Sequence, residues 1–284
     1  MKNVSTNSTS SAASSGRLLI TGAAGALGRV LRKAWTQEIN GNGRWQHLRV
    51  SDRLPLNDLG PHEEQVICDL SDRDAMESLL QGVEAVVHMG GQAVETNFEI
   101  IRDANIQGVF NLYEAARLAG CQRVVMASSN HVTGCYEQGQ FVSPDMPAKP
   151  DGYYGVSKLF AEGMASMYFE RYGIETVSLR LGSVIPKAED RRGLSTWLSY
   201  PDFVRLTQAA LTAKDVGCLT VYGVSANPNK WWSEAGWDKI GYRPLDSAEA
   251  WRDEIQDKVF PEGSLMAQKQ GGSFLGLGPF PKSI

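Results

Sequence analysis

Along the chain, short apolar runs alternate with longer segments in which apolar positions recur every three to four residues. The first kind suits strands buried on both faces, the second amphipathic helices. "RLLITG" (17–22), "LRVSD" (48–52), "QVICDL" (65–70), "AVVHMG" (85–90), "RVVMASS" (123–129) and "TVSLRLGS" (176–183) read as strands. "GALGRVLRKAWTQ" (25–37), "FEIIRDANIQGVFNLYEAARLAG" (98–120) and a stretch from about 152 to 172 read as helices. In the second of these, Ile101, Ala104, Val109, Leu112, Ala116 and Leu118 approximate helical spacing, and Gly120 suits the helix end. Strands alternating with helices predict an α/β fold with a doubly wound parallel sheet over residues 17–183. Past 184 the pattern loosens: "RRGLSTWLSYPDFVRL" has mixed polarity, "CLTVYGV" reads as a strand and "DSAEAWRDEIQDKVF" as a late helix. Residues 184–284 are expected to form a small substrate-binding lobe packed on the same domain and closing over the strand ends.

The opening stretch, "MKNVSTNSTSSAASSG" (1–16), is too polar to bury surface and reads as a disordered tail. It lacks the apolar core of a secretory signal, and no run approaches membrane-spanning length, so a cytoplasmic location is expected with no membrane partner. Composition changes this picture little. Of 284 residues, 42% are hydrophobic and 21% charged, an ordinary globular mix, and the net charge of −4 with no basic stripe argues against a nucleic-acid partner held through phosphates. Cys68, Cys121, Cys135 and Cys218 are scattered without a CxxC pair, which suits free thiols in a reducing compartment. No His, Asp or Glu cluster has metal-ligand spacing, so no metal is expected.

Candidate chemistry begins at "TGAAGALG", where Gly22, Gly25 and Gly28 follow a predicted strand and open a predicted helix. The first glycine permits a tight turn, the second lets backbone approach a pyrophosphate, and the third lets helix pack on sheet. The helix N-terminus, with Ala26 and Leu27, favours the anion. A bare GxxGxxG is a weak signal, and the strand-loop-helix context is what raises it above a glycine-rich turn without a ligand. At the end of the next strand Asp52 stands where a carboxylate would bind adenosine ribose hydroxyls and repel a 2′-phosphate, favouring NAD; the alternative is a solvated turn residue. Arg53 beside it would suit NADP.

"DGYYGVSKLF" (151–160) offers two tyrosines and a lysine. A helix turns about 100° per residue, so Tyr154 and Lys158, four apart, share a face, whereas Tyr153 and Lys158 diverge by about 140°. A phenol with a free pKa near ~10 needs help to act as a base at neutral pH. A neighbouring ammonium and a positive nicotinamide ring would favour the phenolate. Ser128 and Ser129 lie at the C-terminal end of a predicted strand, and open α/β sheets bind ligands outside such strand ends. An amphipathic helix face accounts for Tyr-x-x-x-Lys alone; the serines make the set.

TGxxGxxG, Asp52, the strand-end serine and Tyr-x-x-x-Lys, in that order, resemble the extended short-chain dehydrogenase/reductases, whose domain is a Rossmann fold. "ASSNHVTG", "DGYYGVSKLFAE", "RLGSV", "RRGLSTW", "VYGVSAN" with "WW", and "QGGSF" resemble more narrowly the uronate dehydrogenases among them, over almost the whole chain after the tail. The resemblance implies NAD-dependent oxidation of D-glucuronate or D-galacturonate at C1 to the aldarolactone. It implies Tyr154 as base, Lys158 as its electrostatic partner and Ser129 as hydrogen-bond donor to the reacting oxygen. Asn105 would join Lys158 in a water relay, and Asp69 and Leu70 would contact adenine. Asn130, His131, Ser183 and Arg192 would bind the sugar acid, with Phe274 lining the pocket. Arg192 has the planar fork suited to both carboxylate oxygens, and Arg191 beside it competes for that role. His131 reads equally as a structural histidine from sequence alone. Its place beside Ser129 favours substrate contact through a neutral imidazole. Trp231 and Trp232 read as lobe packing. Family members commonly pair through their long helices, implying a homo-oligomer.

Two positions depart from the family pattern: Ala93 stands where a substrate-binding serine is expected, and Gly193 where a larger residue is expected, which would loosen its loop. Two other functions share parts of the set. A nucleotide-sugar epimerase or dehydratase would use the same Ser, Tyr and Lys but keep its NAD; the lobe looks small for a nucleotide diphosphate. A dinucleotide-sensing regulatory protein would need neither Tyr154 nor Lys158.

Overall fold

The computed structural model describes residues 16–39, 45 and 47–278, so the expected tail at 1–16 lies almost wholly outside the described residues. Seven parallel strands form the central sheet. They are β1 (Arg17–Thr21), β2 (Leu48–Asp52), β3 (Glu63–Ile67), β4 (Val83–His88), β5 (Arg123–Ser129), β6 (Glu175–Leu181) and, after a separate short pair β7 (Ser183–Val184) and β8 (Trp197–Leu198), β9 (Cys218–Gly223). Their order, β3-β2-β1-β4-β5-β6-β9, reverses direction between β1 and β4 and opens a crevice beyond their C-terminal ends.

Alternation along each strand explains the two-sided burial. Leu18 and Ile20 of β1 and Val125 of β5 join one core with α1 (Ala26–Ile39) and, later in the chain, α7 (Tyr200–Thr212). Leu19, Val124 and Met126 point the other way, into a second core with α2 (Arg73–Leu79), α4 (Gly108–Ala119) and α5 (Tyr153–Tyr172). Each such side chain contributes about 1.5–3 kcal/mol when fully buried, so strands with both faces covered are mainly apolar, and buried polar residues such as Arg180 are paired.

The expected boundary at 183 cuts through the sheet, because β9 pairs in parallel with β6 from Thr176 against Cys218 to Leu181 against Gly223. Past 184, α7 with Trp232, Trp237 and Tyr242 packs into the first core, and Ala188, Leu194, Trp197, Ala248 and Ile255 form a third, smaller one. Three further differences have local causes. The strand expected at 65–70 runs Glu63–Ile67, because the Asp69 carboxylate accepts from Ser71 N and turns the chain toward α2. The late helix over 246–260 is reduced to a 3-10 turn (Ala248–Trp251) followed directly by one α-helical turn (Arg252–Ile255); Trp251 at the junction, φ −113° and ψ 9°, departs from α-helical geometry, and its indole meets Trp197 edge-on at 4.7 Å. The long central helix is continuous, but Arg102–Gln107 between α3 (Phe98–Ile101) and α4 is π-helical. Gly120 ends α4 in the left-handed conformation, φ +71°. Among the described residues no helix is long and apolar enough to cross a membrane, and no group of three metal-ligating side chains converges.

Candidate active site

The glycine loop joins β1 to α1 at the crevice. Gly22 has φ +68°, and a Cβ there would lie 2.6 Å from the backbone of Met89 and Gly90. A Cβ on Gly28 would lie 2.2 Å from the Gly22 carbonyl oxygen, so α1 can start this close to the strand only because that atom is missing. No acidic residue stands in the first turn of α1, and Ala26 is exposed beside half-buried Leu27. Such a terminus presents unpaired N–H groups and positive dipole to an anion. Asp52 Oδ2 accepts from Ala24 N at 2.9 Å and Oδ1 from Leu54 N at 3.3 Å, which leaves acceptor capacity for a ribose hydroxyl. This donor and acceptor set fits a dinucleotide. Asp69 is exposed, its carboxyl held below the usual range by the Ser71 backbone and side-chain hydrogen bonds. Leu70 packs toward Gly90 and Gly108, and its carbonyl accepts from Asn111.

Tyr154 and Lys158 lie on the buried face of α5, whereas Tyr153 is 51% exposed and packs its ring edge against Phe98. Gly152, which precedes α5, has no side chain to cap the helix; the buried Glu95 carboxylate reaches over from another loop and accepts from Tyr153 N at 2.9 Å and Tyr154 N at 2.7 Å. Glu95 was not legible as a site residue, since the partners it caps lie far along the chain. The Ser129 side chain, whose Oγ accepts from His131 N at 3.2 Å, neighbours the Tyr154 phenol. Burial pushes this phenol up to about 12, Ser129 opposes that rise, and the Asp151 charge adds to it. Lys158 Nζ donates to the Ala127 carbonyl at 2.8 Å, and burial pushes it down to about 8. The expected help from the Lys158 ammonium is therefore outweighed in the protein alone: burial disfavours both charged forms.

Asn105 sits in the π-helical segment, where its amide accepts from Gln92 N at 2.8 Å and donates to Gln92 O at 3.0 Å and to Ser157 Oγ at 2.9 Å. Those bonds tie the loop after β4 to α5. Ala93 lies exposed on that loop. Ser128, the neighbour of Ser129, points away from the crevice and donates to Glu162, which pairs with Arg180 at 2.8 Å in the interior.

On the sugar side of the crevice, Asn130 and His131 follow β5 in a 3-10 turn in which Ser129 Oγ accepts from His131 N at 3.2 Å. Arg192 Nε donates to Gln270 O at 2.7 Å, and Nη1 to Ser183 Oγ at 3.0 Å and Thr196 Oγ1 at 3.3 Å. With the Asn130 amide oriented to donate to Leu181 O, its oxygen accepts from Arg192 Nη2 at 3.1 Å. The fork is thus partly occupied by its own neighbours, and burial pushes the guanidinium down to about 10. Arg191 is exposed and lines a separate surface cavity of about 350 Å³ with Trp231 and Arg252, away from this cluster. Gly193 opens a short helix, its N–H bonded to Asp190, and a Cβ there would lie 3.0 Å from that of Ala188; the loop is anchored rather than loosened. Phe274 stacks on His131 at 3.8 Å and 18°, and lies 5.7 Å from the Tyr154 ring. Trp232 is fully buried, stacked on Tyr222 at 5.2 Å and donating to Gln270 Oε1. Sequence reasoning missed Gln270 and Asp151; the only signal for either was its place inside "QGGSF" or "DGYYGVSK".

The model of the NAD dependent epimerase/dehydratase family matches residues 18–199. The uronate dehydrogenase of Pseudomonas syringae pv. tomato is 48% identical over 267 residues, covering 93% of this chain and 94% of that protein. That of Agrobacterium fabrum is 45% identical over 263 residues, covering 91% and 96%. Among solved structures, a variant of Agrobacterium tumefaciens uronate dehydrogenase in complex with NAD superposes with a TM-score of 0.87 at 44% identity, covering 94% of this chain and 99% of that one. With the glycine cradle, the Ser129–Tyr154–Lys158 set and the Arg192 cluster in one crevice, the chain belongs to the NAD dependent epimerase/dehydratase family and, within it, to the uronate dehydrogenases.

Proposed function

We propose that this protein oxidises a hexuronic acid, D-glucuronate or D-galacturonate, at C1 to the corresponding aldarolactone with NAD as acceptor. The observation that carries the reading is the convergence of Tyr154 and Ser129 with the Arg192–Ser183–Asn130 cluster at the C-terminal ends of β5 and β6, where Phe274 stacks on His131 and lies 5.7 Å from the Tyr154 ring. The Gly22–Gly28 loop with Ala26 and Leu27 would hold the pyrophosphate, Asp52 the adenosine ribose, and Asp69 and Leu70 the adenine side. When bound, NAD supplies the hydride acceptor and a positively charged ring. Tyr154 takes the proton of the C1 hydroxyl while Ser129 donates to the same oxygen, and Lys158 stabilises the phenolate once that positive charge offsets the effect of burial. The ring stays closed, so removing hydride from C1 yields a lactone. Arg192, already braced by Gln270, Thr196 and Ser183, offers its remaining Nη2 hydrogen to the sugar carboxylate. Ser183 and Asn130 complete that contact, and His131 and Phe274 line the pocket. Asn105 acts by bracing the loop after β4, since its amide is engaged on three sides.

The segments beyond 184 that carry Arg192 and Phe274, rather than β9 and the sheet-packed α7, serve as the substrate-binding cap, and the enzyme is cytoplasmic. Exposed Phe110 and Leu118 on α4, with Val156, Leu159 and Met167 on α5, support pairing of two copies through these helices. The deciding experiment is NADH formation across a panel of uronic acids and the matching neutral sugars. Stoichiometric NADH from D-glucuronate or D-galacturonate and almost none from glucose or galactose is expected. Equal turnover of both classes would remove the carboxylate role of Arg192, and tightly retained NAD without net NADH would favour an epimerase.

A further inference from the structure

Asp151 carries a buried charge that the reaction as described does not use. Its side chain is 1% exposed, Oδ2 lies 2.7 Å from His131 Nδ1, and Oδ1 has no hydrogen-bond partner. Two glycines make room for it: a Cβ on either Gly134 or Gly271 would lie 1.8 Å from Oδ2. Those glycines belong to the segment that carries His131 and the segment that carries Phe274, and the two are joined by a Gly271 N to Gly134 O hydrogen bond at 2.8 Å. Burying a carboxylate is costly unless a donor meets it, and here the donor is an imidazole.

We propose that Asp151 is a positioning residue for sugar recognition: it holds the His131 proton on Nδ1 and turns Nε2, as a hydrogen-bond acceptor, toward a ring hydroxyl of the uronic acid. An ionised carboxylate has no proton to give, so the nitrogen facing it is the donor. In the neutral ring the other nitrogen is then an acceptor, and it lies on the far side of the imidazole from Asp151. Phe274 stacked on one face and Tyr154 set edge-on at 5.7 Å and 70° restrict rotation of the ring. A flipped ring would put carbon against Oδ2 and leave the carboxylate without its donor. An acceptor fixed in this way recognises O–H and discriminates against a sugar lacking that hydroxyl. The inference rests on His131 being a substrate contact, as proposed above.

Nitrogen-resolved NMR of the imidazoles in the full-length protein, with His131 assigned through the spectrum of His131→Gln, tests the assignment directly. The wild type is expected to carry the proton on Nδ1, and Asp151→Asn, whose amide can donate to Nδ1, to carry it on Nε2. In the NADH assay with D-glucuronate and D-galacturonate, Asp151→Asn should lower kcat/KM about 10- to 100-fold, mainly through KM. The same substitution in a His131→Gln background should change it less than about twofold, because the partner it acts through is gone. A wild-type proton on Nε2, or equal losses in the two backgrounds, overturns the proposal. Should Asp151→Asn not fold, the wild-type tautomer alone decides. If the wild type makes no NADH from any uronic acid, the functional reading fails, while the tautomer measurement still reports on the Asp151–His131 pair.

Discussion

The half of the crevice that fits the cofactor is drawn from one short stretch, Gly22 to Gly28, with Asp52 beside it, and it acts mostly through backbone: a left-handed turn, a missing Cβ and a helix terminus. The half proposed to hold the sugar draws on side chains scattered from Ser129 to Phe274, and most of them are engaged with one another: Arg192 with Gln270, Ser183 and Thr196, His131 with Asp151 and Phe274. A backbone cradle tolerates changes in the side chains around it but not the addition of an atom at its glycines. A side-chain cluster tolerates an added atom at its rim but not the loss of a hydrogen-bonding shape at its centre. Tyr154 stands where the two halves meet.

Substitutions that separate the halves sharpen this contrast. Tyr154→Phe should have the largest effect, lowering kcat by roughly 10²–10⁴ while the dissociation constant for NAD, read by fluorescence, changes little. Gly28→Ala should come next, raising KM for NAD by about 100-fold with a smaller change in KM for the uronic acid. Its new Cβ would collide with the Gly22 carbonyl, and a KM for NAD near wild type would show that the cradle can yield. Arg192→Lys should cost about tenfold in kcat/KM for uronic acids and leave NAD binding intact, since an ammonium cannot satisfy Gln270, Ser183 and a carboxylate in one plane. A parallel loss of NAD affinity would mean that the two halves are not separable. Tyr153→Phe should change kcat and KM by less than about twofold, and a loss comparable to that of Tyr154→Phe would reverse the assignment of the two tyrosines.

The same division decides what could be read from the chain. Strand positions β1, β2 and β5 follow from short runs rich in apolar residues, because burial on both faces favours them, although Arg49, Ser51 and Ser128 are buried there as well. The glycine loop is local, so its spacing survives in the sequence. Helical register alone separates Tyr154 from Tyr153, and the 51% exposure of Tyr153 agrees with it. Glu95 and Asp151 were missed because a carboxylate looks the same in sequence whether it meets water or caps a distant helix. Arg192 was legible as a cation beside a family motif, but its orientation depends on the Gln270 carbonyl, far along the chain. The boundary at 183 missed β9 as a sheet strand because parallel pairing brings back residues separated by a long crossover.

The π-helical turn at Arg102–Gln107 gives the central helix two independent registers. In α4 the phase is set by Val109, Leu112 and Ala116 against the core, whereas upstream of the turn Ile101 is buried and Phe98 meets Tyr153. One widened turn carries an extra residue without disturbing the packed end, and each residue added or removed rotates whatever lies beyond it by about 100°. Asn105, within that turn, can therefore face Gln92 and Ser157 while the core side chains keep their places. The phasing of the brace is in this way uncoupled from the phasing of the fold, so a local insertion or deletion at this turn can re-aim the site at little cost to the scaffold.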